Sequence, residues 1–194
     1  ADTIELEMPD KTIGRFARIV DYKSSEKSIS LCDVYSGVSL QLFVYLSNLC
    51  ENGYRPAGIL YCTLSDPIVS VSPDATEDEI TALRNKKLRM NGIVLEGCDM
   101  NEHMGGDKII ASRKVMNEKQ FNKMFSHLRR TIIKTADKIN GGSFPIQCEE
   151  GACTWCDYGA LCRFDKSFAG CSIASREKLS DAQVLELLEN ETEE

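Results

Sequence analysis

The sequence lacks the long apolar runs of a membrane protein and the leader of an exported one. No run approaches the roughly 20 apolar residues that a membrane helix requires, and the N-terminus has neither the basic start nor the apolar stretch of a secretory signal. We therefore predict a cytoplasmic protein with no membrane partner. Because the sequence has no start methionine and opens on a strand-like pattern, we expect it to be part of a longer protein.

An excess of basic residues is also missing. The net charge is -7, which taken alone argues against a nucleic-acid partner. Residues 175–194, however, carry seven acidic and two basic side chains, so the rest of the chain has a net charge of only about -2. Local charge rather than the total determines phosphate binding, so this composition still allows a basic groove.

Histidine is scarce, whereas cysteine is abundant. Neither of the two histidines, His103 and His127, has a partner at ligand spacing, and we interpret both as ordinary residues. The chain has nine cysteines, an odd number. Without a sign of export, they favour buried thiols and metal ligands over a disulfide framework.

Length and hydrophobic patterning predict one α/β domain. The 194 residues are 42% hydrophobic and 27% charged, which fits a globular domain with a core. Two alternating runs, 3–8 and 18–24, predict a hairpin that turns around Pro9, Asp10 and Lys11. The order of strand, helix and strand that follows implies a right-handed crossover. The further predicted elements are a helix over 38–50, a buried strand over 56–64, a helix from 76 to about Met90, a short strand over 108–111 and a long helix over 117–139.

The end of the second predicted strand carries Asp21 and Lys23. Alternate side chains of a strand share a face, so the two charged groups point to one spot. The predicted hairpin brings Asp2 close to both. Two carboxylates bind a divalent metal ion through oxygen, and a lysine orients water or offsets charge on a phosphate. The alternative is a solvated ion pair on an edge strand.

A cysteine cluster forms the second group of candidate ligands. Cys153 and Cys156 have the spacing that lets two thiolates converge on one metal, and Cys162 follows. Spacing alone favours zinc with Cys148 or Cys171 as the fourth ligand. An iron–sulfur cluster also needs four thiolates, and its fourth can lie far away in the sequence. Buried thiols without a metal are the third interpretation.

Taken together, these motifs resemble a known family. In chain order they match the C-terminal PD-(D/E)xK nuclease domain of the AddB family, one subunit type of the bacterial AddAB helicase-nucleases. The resemblance runs to about Asp165. The motifs that carry it are Asp2, Asp21-Tyr22-Lys23-Ser24, Gln41-x-x-x-Tyr45, the strand Pro56-Ala57-Gly58-Ile59-Leu60-Tyr61, and Cys153-x-x-Cys156-x-Tyr158-x-x-x-Cys162-Arg163-Phe164-Asp165.

The resemblance implies a fold and a division of the chain. The fold would be a restriction-endonuclease-like α/β core, with a mixed sheet flanked by helices, followed by a cysteine-cluster segment. The nuclease core would occupy residues 1–147, the cysteine-cluster segment 148–170 and an acidic tail 171–194.

The resemblance also implies an activity. It predicts a magnesium-dependent DNA exonuclease within an ATP-dependent helicase-nuclease that acts in double-strand break repair by homologous recombination. Asp2 and Asp21 would bind Mg²⁺, and Lys23 would position the attacking water and stabilise the pentacovalent phosphate. Gln41 and Tyr45 would contact the scissile strand or brace the lysine.

Cofactor and partners follow from the same resemblance. Cys153, Cys156 and Cys162 would be three of four ligands to a [4Fe-4S] cluster. In the family, the fourth cysteine and a further acidic or histidine ligand precede the first catalytic aspartate, so the segment in hand is expected to lack part of its site and to be inactive by itself. The partners would be single- or double-stranded DNA and an AddA-type subunit in a heterodimer.

Other interpretations stay open at this point. A stand-alone RecB-like or Cas4-like exonuclease joins the same nuclease fold to a cysteine cluster. A non-catalytic DNA-binding scaffold with a structural metal site would keep Asp21 and Lys23 only as an ion pair.

Two helix faces have no assigned role. The basic side chains of the helix over 117–139 indicate either a solvated face or a DNA surface. In the tail, an apolar stripe predicts a short amphipathic helix that docks on its own domain or on a partner, and its members are Val184, Leu185, Leu187 and Leu188.

Overall fold

The computed structural model describes residues 1–7, 11, 13–98 and 110–191, with the backbone alone over 110–113. Pro9 and Asp10 of the predicted turn, His103 and Lys108 lie outside the described residues. Among the described helices, none is long and apolar enough to cross a membrane.

A five-stranded mixed sheet forms the centre of the domain, with its strands in sequence order. β1 and β2 form the predicted antiparallel hairpin, β2 and β3 run parallel, β3 and β4 antiparallel, and β4 and β5 parallel. The mixed sheet implied by the resemblance is therefore confirmed. The strands are β1 Asp2–Glu7, β2 Ile13–Lys23, β3 Arg55–Thr63, β4 Met90–Leu95 and β5 Ile110–Met116.

The longer helices follow the predicted pattern, with differences at their ends. The helix predicted over 38–50 begins at Gln41. The helix predicted to reach Met90 ends at Lys87, and Met90 instead begins β4, whose residues 92–95 are buried. A short helix after Ser30, whose hydroxyl accepts a hydrogen bond from the Asp33 amide, had not been predicted. The helices are α1 Leu31–Tyr35, α2 Gln41–Glu51, α3 Glu77–Lys87, α4 Glu118–Asn140, α5 Gly159–Cys162 and α6 Asp181–Asn190.

One hydrophobic core holds the sheet, α2, α4 and α6 together. Phe43 of α2 packs against Phe121 of α4, with ring centroids 6.1 Å apart. Val184 and Leu188 of α6 are buried in the same core, whereas Leu187 is exposed. The prediction that the tail helix docks on its own domain is therefore confirmed.

A separate two-stranded sheet frames the cysteine segment. Its parallel strands are β6 Ile146–Glu149 and β7 Cys171–Ala174, and residues 150–170 lie between them in the chain. Just after β7, the Arg176 guanidinium contacts Asp33 at 3.0 Å and Glu149 at 2.6 Å. These ion pairs tie both ends of the segment to α1.

Candidate active site

The end of β2 brings Asp21 and Lys23 together as predicted. Nζ of Lys23 lies 2.8 Å from Oδ2 of Asp21, and the two side chains are 31% and 22% exposed. This oxygen is itself buried and has no hydrogen bond of acceptable geometry from the described residues. The pair is thus a partly buried ion pair with unused acceptor capacity, rather than a fully solvated one.

Tyr61 of β3 forms the floor beneath this pair. It is the register partner of Asp21 in the parallel β2–β3 ladder, and its side chain is only 7% exposed. Lys23 Nζ lies 5.7 Å and Lys27 Nζ 5.4 Å from the centre of its ring. An aromatic face attracts cations, so the ring of Tyr61 helps to hold both ammonium groups.

The electrostatics of the pair favour a charged lysine. Contact with Asp21 raises the pKa of Lys23 above its ordinary value, against a smaller opposing effect of burial. Burial raises the pKa of Tyr61, and the nearby Lys23 opposes that rise. At neutral pH, Lys23 is therefore an ammonium and Tyr61 a neutral phenol.

Asp2 does not join this pair, and the predicted approach to Asp21 and Lys23 is wrong. The hairpin register places Asp2 opposite Arg18, and Arg18 Nε donates to Asp2 Oδ2 at 3.0 Å. Asp21 lies three residues further along β2, about 10 Å away at the rise of a strand. Side chains three apart on a strand also point to opposite faces.

Gln41 and Tyr45 lie together on the first turns of α2. Gln41 Nε2 donates to Tyr45 Oη at 3.4 Å, and both side chains are exposed. The opposite face of α2 is buried through Leu42, Phe43 and Leu46. The two predicted site residues therefore form one polar exposed patch.

The predicted cysteine ligands do not converge in the structure. Cys153, Cys156 and Cys162 are all exposed, and no three cysteine, histidine or acidic side chains within the described ranges are arranged to bind a metal ion. Cys153 instead contacts Cys148, with the sulfur atoms 3.5 Å apart. This contact raises the pKa of the Cys153 thiol. As placed here, the cysteines do not fit a four-thiolate cluster.

Sequence reasoning missed Tyr61 and Lys27 as parts of the site. Tyr61 had been assigned to a buried strand without a role in the site, and Lys27 had no assigned role. The signal that identifies them is tertiary, since it is the β2–β3 register that brings Tyr61 beside Asp21.

Comparison with known proteins identifies the family of this chain. The sequence profile of the PD-(D/E)XK nuclease superfamily matches residues 2–163. Three similar proteins, each named as the B subunit of an ATP-dependent helicase/deoxyribonuclease, come from Clostridium acetobutylicum, Alkaliphilus metalliredigens and Clostridium novyi. They are 31%, 30% and 32% identical to this chain over 97%, 99% and 100% of its length, respectively.

The match covers only 19% of each of these relatives, so this chain spans about one fifth of their length. The relatives confirm the family resemblance of the motifs, and the profile match covers most of the chain, including Asp21, Lys23 and the helix with Gln41. The chain belongs to the PD-(D/E)XK nuclease superfamily.

Proposed function

We propose that this domain hydrolyses phosphodiester bonds of DNA in a magnesium-dependent reaction, with Asp21 and Lys23 at its centre. The observation that carries the proposal is the buried Oδ2 of Asp21, which faces an ammonium but has no hydrogen bond of acceptable geometry from the described residues. A buried carboxylate oxygen with spare acceptor capacity suits a hard cation.

Asp21 fits a magnesium ion as one ligand among several. The other ligands of the ion would be water molecules and phosphate oxygens of the substrate, which Mg²⁺ commonly keeps around one or two carboxylates. When bound, Mg²⁺ would make a water more acidic and neutralise charge on the phosphate. Asp2 is left out of this proposal because Arg18 holds its carboxylate elsewhere.

Lys23 supplies a fixed positive charge beside the phosphate. Its raised pKa keeps it protonated over the physiological range, so it acts as a point charge and a hydrogen-bond donor rather than as a base. Tyr61 limits its movement from below. Lys23 therefore orients the attacking water and offsets the charge that develops on the phosphoryl oxygens.

Gln41 and Tyr45 contact the scissile strand from the exposed end of α2. Their side chains are already joined by a hydrogen bond and are accessible. Tyr45 offers an exposed ring face on which an unpaired base stacks. Single-stranded DNA is accordingly the substrate form that we propose.

In the whole protein, we propose that the domain works within a helicase-nuclease. The relatives are named as one subunit of an ATP-dependent helicase/deoxyribonuclease. By analogy the longer chain would pair with an AddA-type subunit and resect DNA ends during recombinational repair. We keep the division into a nuclease core, a cysteine segment and a tail as a proposal, although β7 begins the tail and α6 packs against the core.

The test is degradation of labelled single-stranded DNA by the full-length protein with Mg²⁺. We expect Lys23→Ala and Asp21→Asn to abolish cleavage while DNA binding persists. Lys178→Ala, which removes an exposed ammonium outside the site, is the matched control and should cleave normally. Cleavage that survives Lys23→Ala would overturn the proposed site, whereas folded wild-type protein that binds DNA without cutting it would favour a DNA-holding scaffold.

A further inference from the structure

A cleft of about 670 Å³ lies at the ends of β3 and β4, and neither Asp21 nor Lys23 is among its described lining residues. Its lining includes Thr63, the register partner of Lys23, and Asn91, the register partner of Tyr61. Partners in neighbouring strands share one face of a sheet. The floor of the cleft therefore continues the face that carries the proposed site.

One wall of this cleft is basic. It carries Lys86 and Lys87 from the last turn of α3 and Arg89 from just before β4, whereas Glu26 is the only acidic residue in the described lining. Among the residues that the structure describes, neither Lys86 nor Arg89 forms an ion pair. The cleft thus concentrates positive charge in a chain whose net charge is -7.

α3 is placed to present these cations rather than to build the core. None of its side chains is buried. Polar contacts hold it to the loop after β3, because Arg84 pairs with Asp66 at 2.6 Å and Lys87 donates to the Ile68 carbonyl at 2.6 Å. Its acidic residues lie in the first turn and its basic residues in the last turn, so the basic end is the one that reaches the cleft.

The cleft also has exposed apolar side chains. The side chain of Ile68 is 89% exposed, and Leu83 of α3, one turn before Lys86 and Lys87, is also accessible. A groove that offers both cations and apolar side chains suits a nucleic-acid strand whose phosphates and unpaired bases need different contacts. A duplex would keep its bases stacked inside and leave the apolar side chains without a partner.

We propose that this cleft guides single-stranded DNA to the Asp21 and Lys23 pair, with Lys86 and Arg89 contacting backbone phosphates. The inference rests on the proposed nuclease function and adds the path of the substrate. It also assigns the cleft, rather than the basic side of α4, as the surface that delivers DNA.

The test compares two double variants of the full-length protein. Lys86→Ala with Arg89→Ala removes the cleft cations, and Lys134→Ala with Lys138→Ala removes two exposed cations from α4 as the matched control. Cleavage of a short labelled single-stranded oligonucleotide is followed with Mg²⁺, without ATP, at several salt concentrations. Circular dichroism checks that both variants are folded.

For the cleft variant we expect KM to rise about tenfold with kcat nearly unchanged, because the two cations bind substrate without taking part in the chemistry. The slope of log kcat/KM against log salt should become shallower by about 0.7 for each lost phosphate contact. The α4 control should keep the wild-type values.

Each outcome separates the two proposals. If the cleft variant keeps the wild-type KM and salt slope while cleavage still needs Lys23, the proposed role of the cleft is wrong and the proposed nuclease function stands. If KM rises more in the α4 control than in the cleft variant, the proposed role of the cleft is also wrong, and α4 is the surface that binds DNA. Cleavage that does not need Lys23 overturns the proposed function itself.

Discussion

Nδ1 of His127 lies 2.9 Å from a carboxylate oxygen of Glu191 and so joins the middle of α4 to the residue that follows α6. Nε2 of the same ring lies 2.8 Å from the Tyr35 carbonyl oxygen. Arg130 contacts the same carboxylate, and Lys123 Nζ donates to the Glu191 carbonyl at 3.0 Å. His127, interpreted from sequence as ordinary, is therefore a structural link that fastens the C-terminal helix.

Replacing His127 should loosen the tail. For His127→Gln we expect the free energy of unfolding to fall by about 1.5–3 kcal/mol, because a half-buried hydrogen bond to a charged group is lost. Chemical denaturation measures the change, and hydrogen exchange should show faster exchange in α6. Arg129→Gln on the same helix breaks only an exposed ion pair with Glu51, so a loss below about 1 kcal/mol is expected there. Equal effects of the two substitutions would contradict the link.

Two adjacent leucines of α6 should differ sharply. Leu188 is fully buried in the common core, whereas Leu187 is 40% exposed. Leu188→Ala should lower the free energy of unfolding by about 2–5 kcal/mol, and Leu187→Ala should change it by no more than about 0.5 kcal/mol. Denaturant titration measures both. A small effect at Leu188 would mean that α6 does not dock on this core.

The ring of Tyr61 should matter more than its hydroxyl. Tyr61→Phe keeps the aromatic face under Lys23 and Lys27, so cleavage should stay near the wild-type rate. Tyr61→Leu removes that face, and the loss of about 0.5–1 kcal/mol predicts a rate roughly two to five times lower. Single-turnover cleavage distinguishes the two variants. If Tyr61→Phe is the slower enzyme, the phenol rather than the ring is what the site uses.

Cys50 should resist alkylation. Burial, reinforced by Glu118, raises its pKa from 9.0 to about 11. The thiol is the form that the fold favours, so its thiolate fraction near pH 8 is about 100 times smaller than in the unfolded chain and grows only as the pH approaches 11. Mass spectrometry after iodoacetamide treatment, with and without denaturant, measures the difference. Native Cys50 that reacts as fast as the exposed Cys156 would refute the shift.

The cysteine ligands remain a prediction that metal analysis can decide. If the resemblance holds, the full-length protein should contain iron and sulfide, and Cys162→Ser should lose both while Cys148→Ser keeps them. Zinc in place of iron would support the structural zinc interpretation. If Cys162→Ser retains the metal and Cys148→Ser loses it, the metal is bound by Cys148 and Cys153, whose sulfur atoms are in contact.

The strongly periodic elements could be predicted from sequence. The long helix was predicted to within one residue at each end, because its apolar stripe is reinforced by a capping box at Asn117 and Gln120. The near-continuous apolar run of β3 likewise indicated a buried strand. β4 was missed because it is short and contains Gly92, whose backbone lies so close to β3 that an added Cβ would meet the Ile59 carbonyl oxygen.

The residues around Asp21 and Lys23 were harder to predict than these two residues themselves. Asp21 and Lys23 are two residues apart on one strand, so alternation alone brings them together. Asp2 depends on the strand register, and a hairpin can be predicted without knowing which residues stand opposite one another. Tyr61, Lys27 and the cleft residues meet only through the sheet order and the packing of α3, which local patterns do not encode.

Because β6 and β7 pair with each other, the cysteine segment between them is an exchangeable insertion. The strands before and after the segment pair with each other, and Arg176 forms an ion pair with Glu149 of β6. The path of the remaining chain therefore does not depend on the residues between the two strands. Lengthening or exchanging that loop has only a slowly growing entropic cost. Evolution and protein engineers alike can therefore change the residues between the two strands while the nuclease sheet and the tail stay in place.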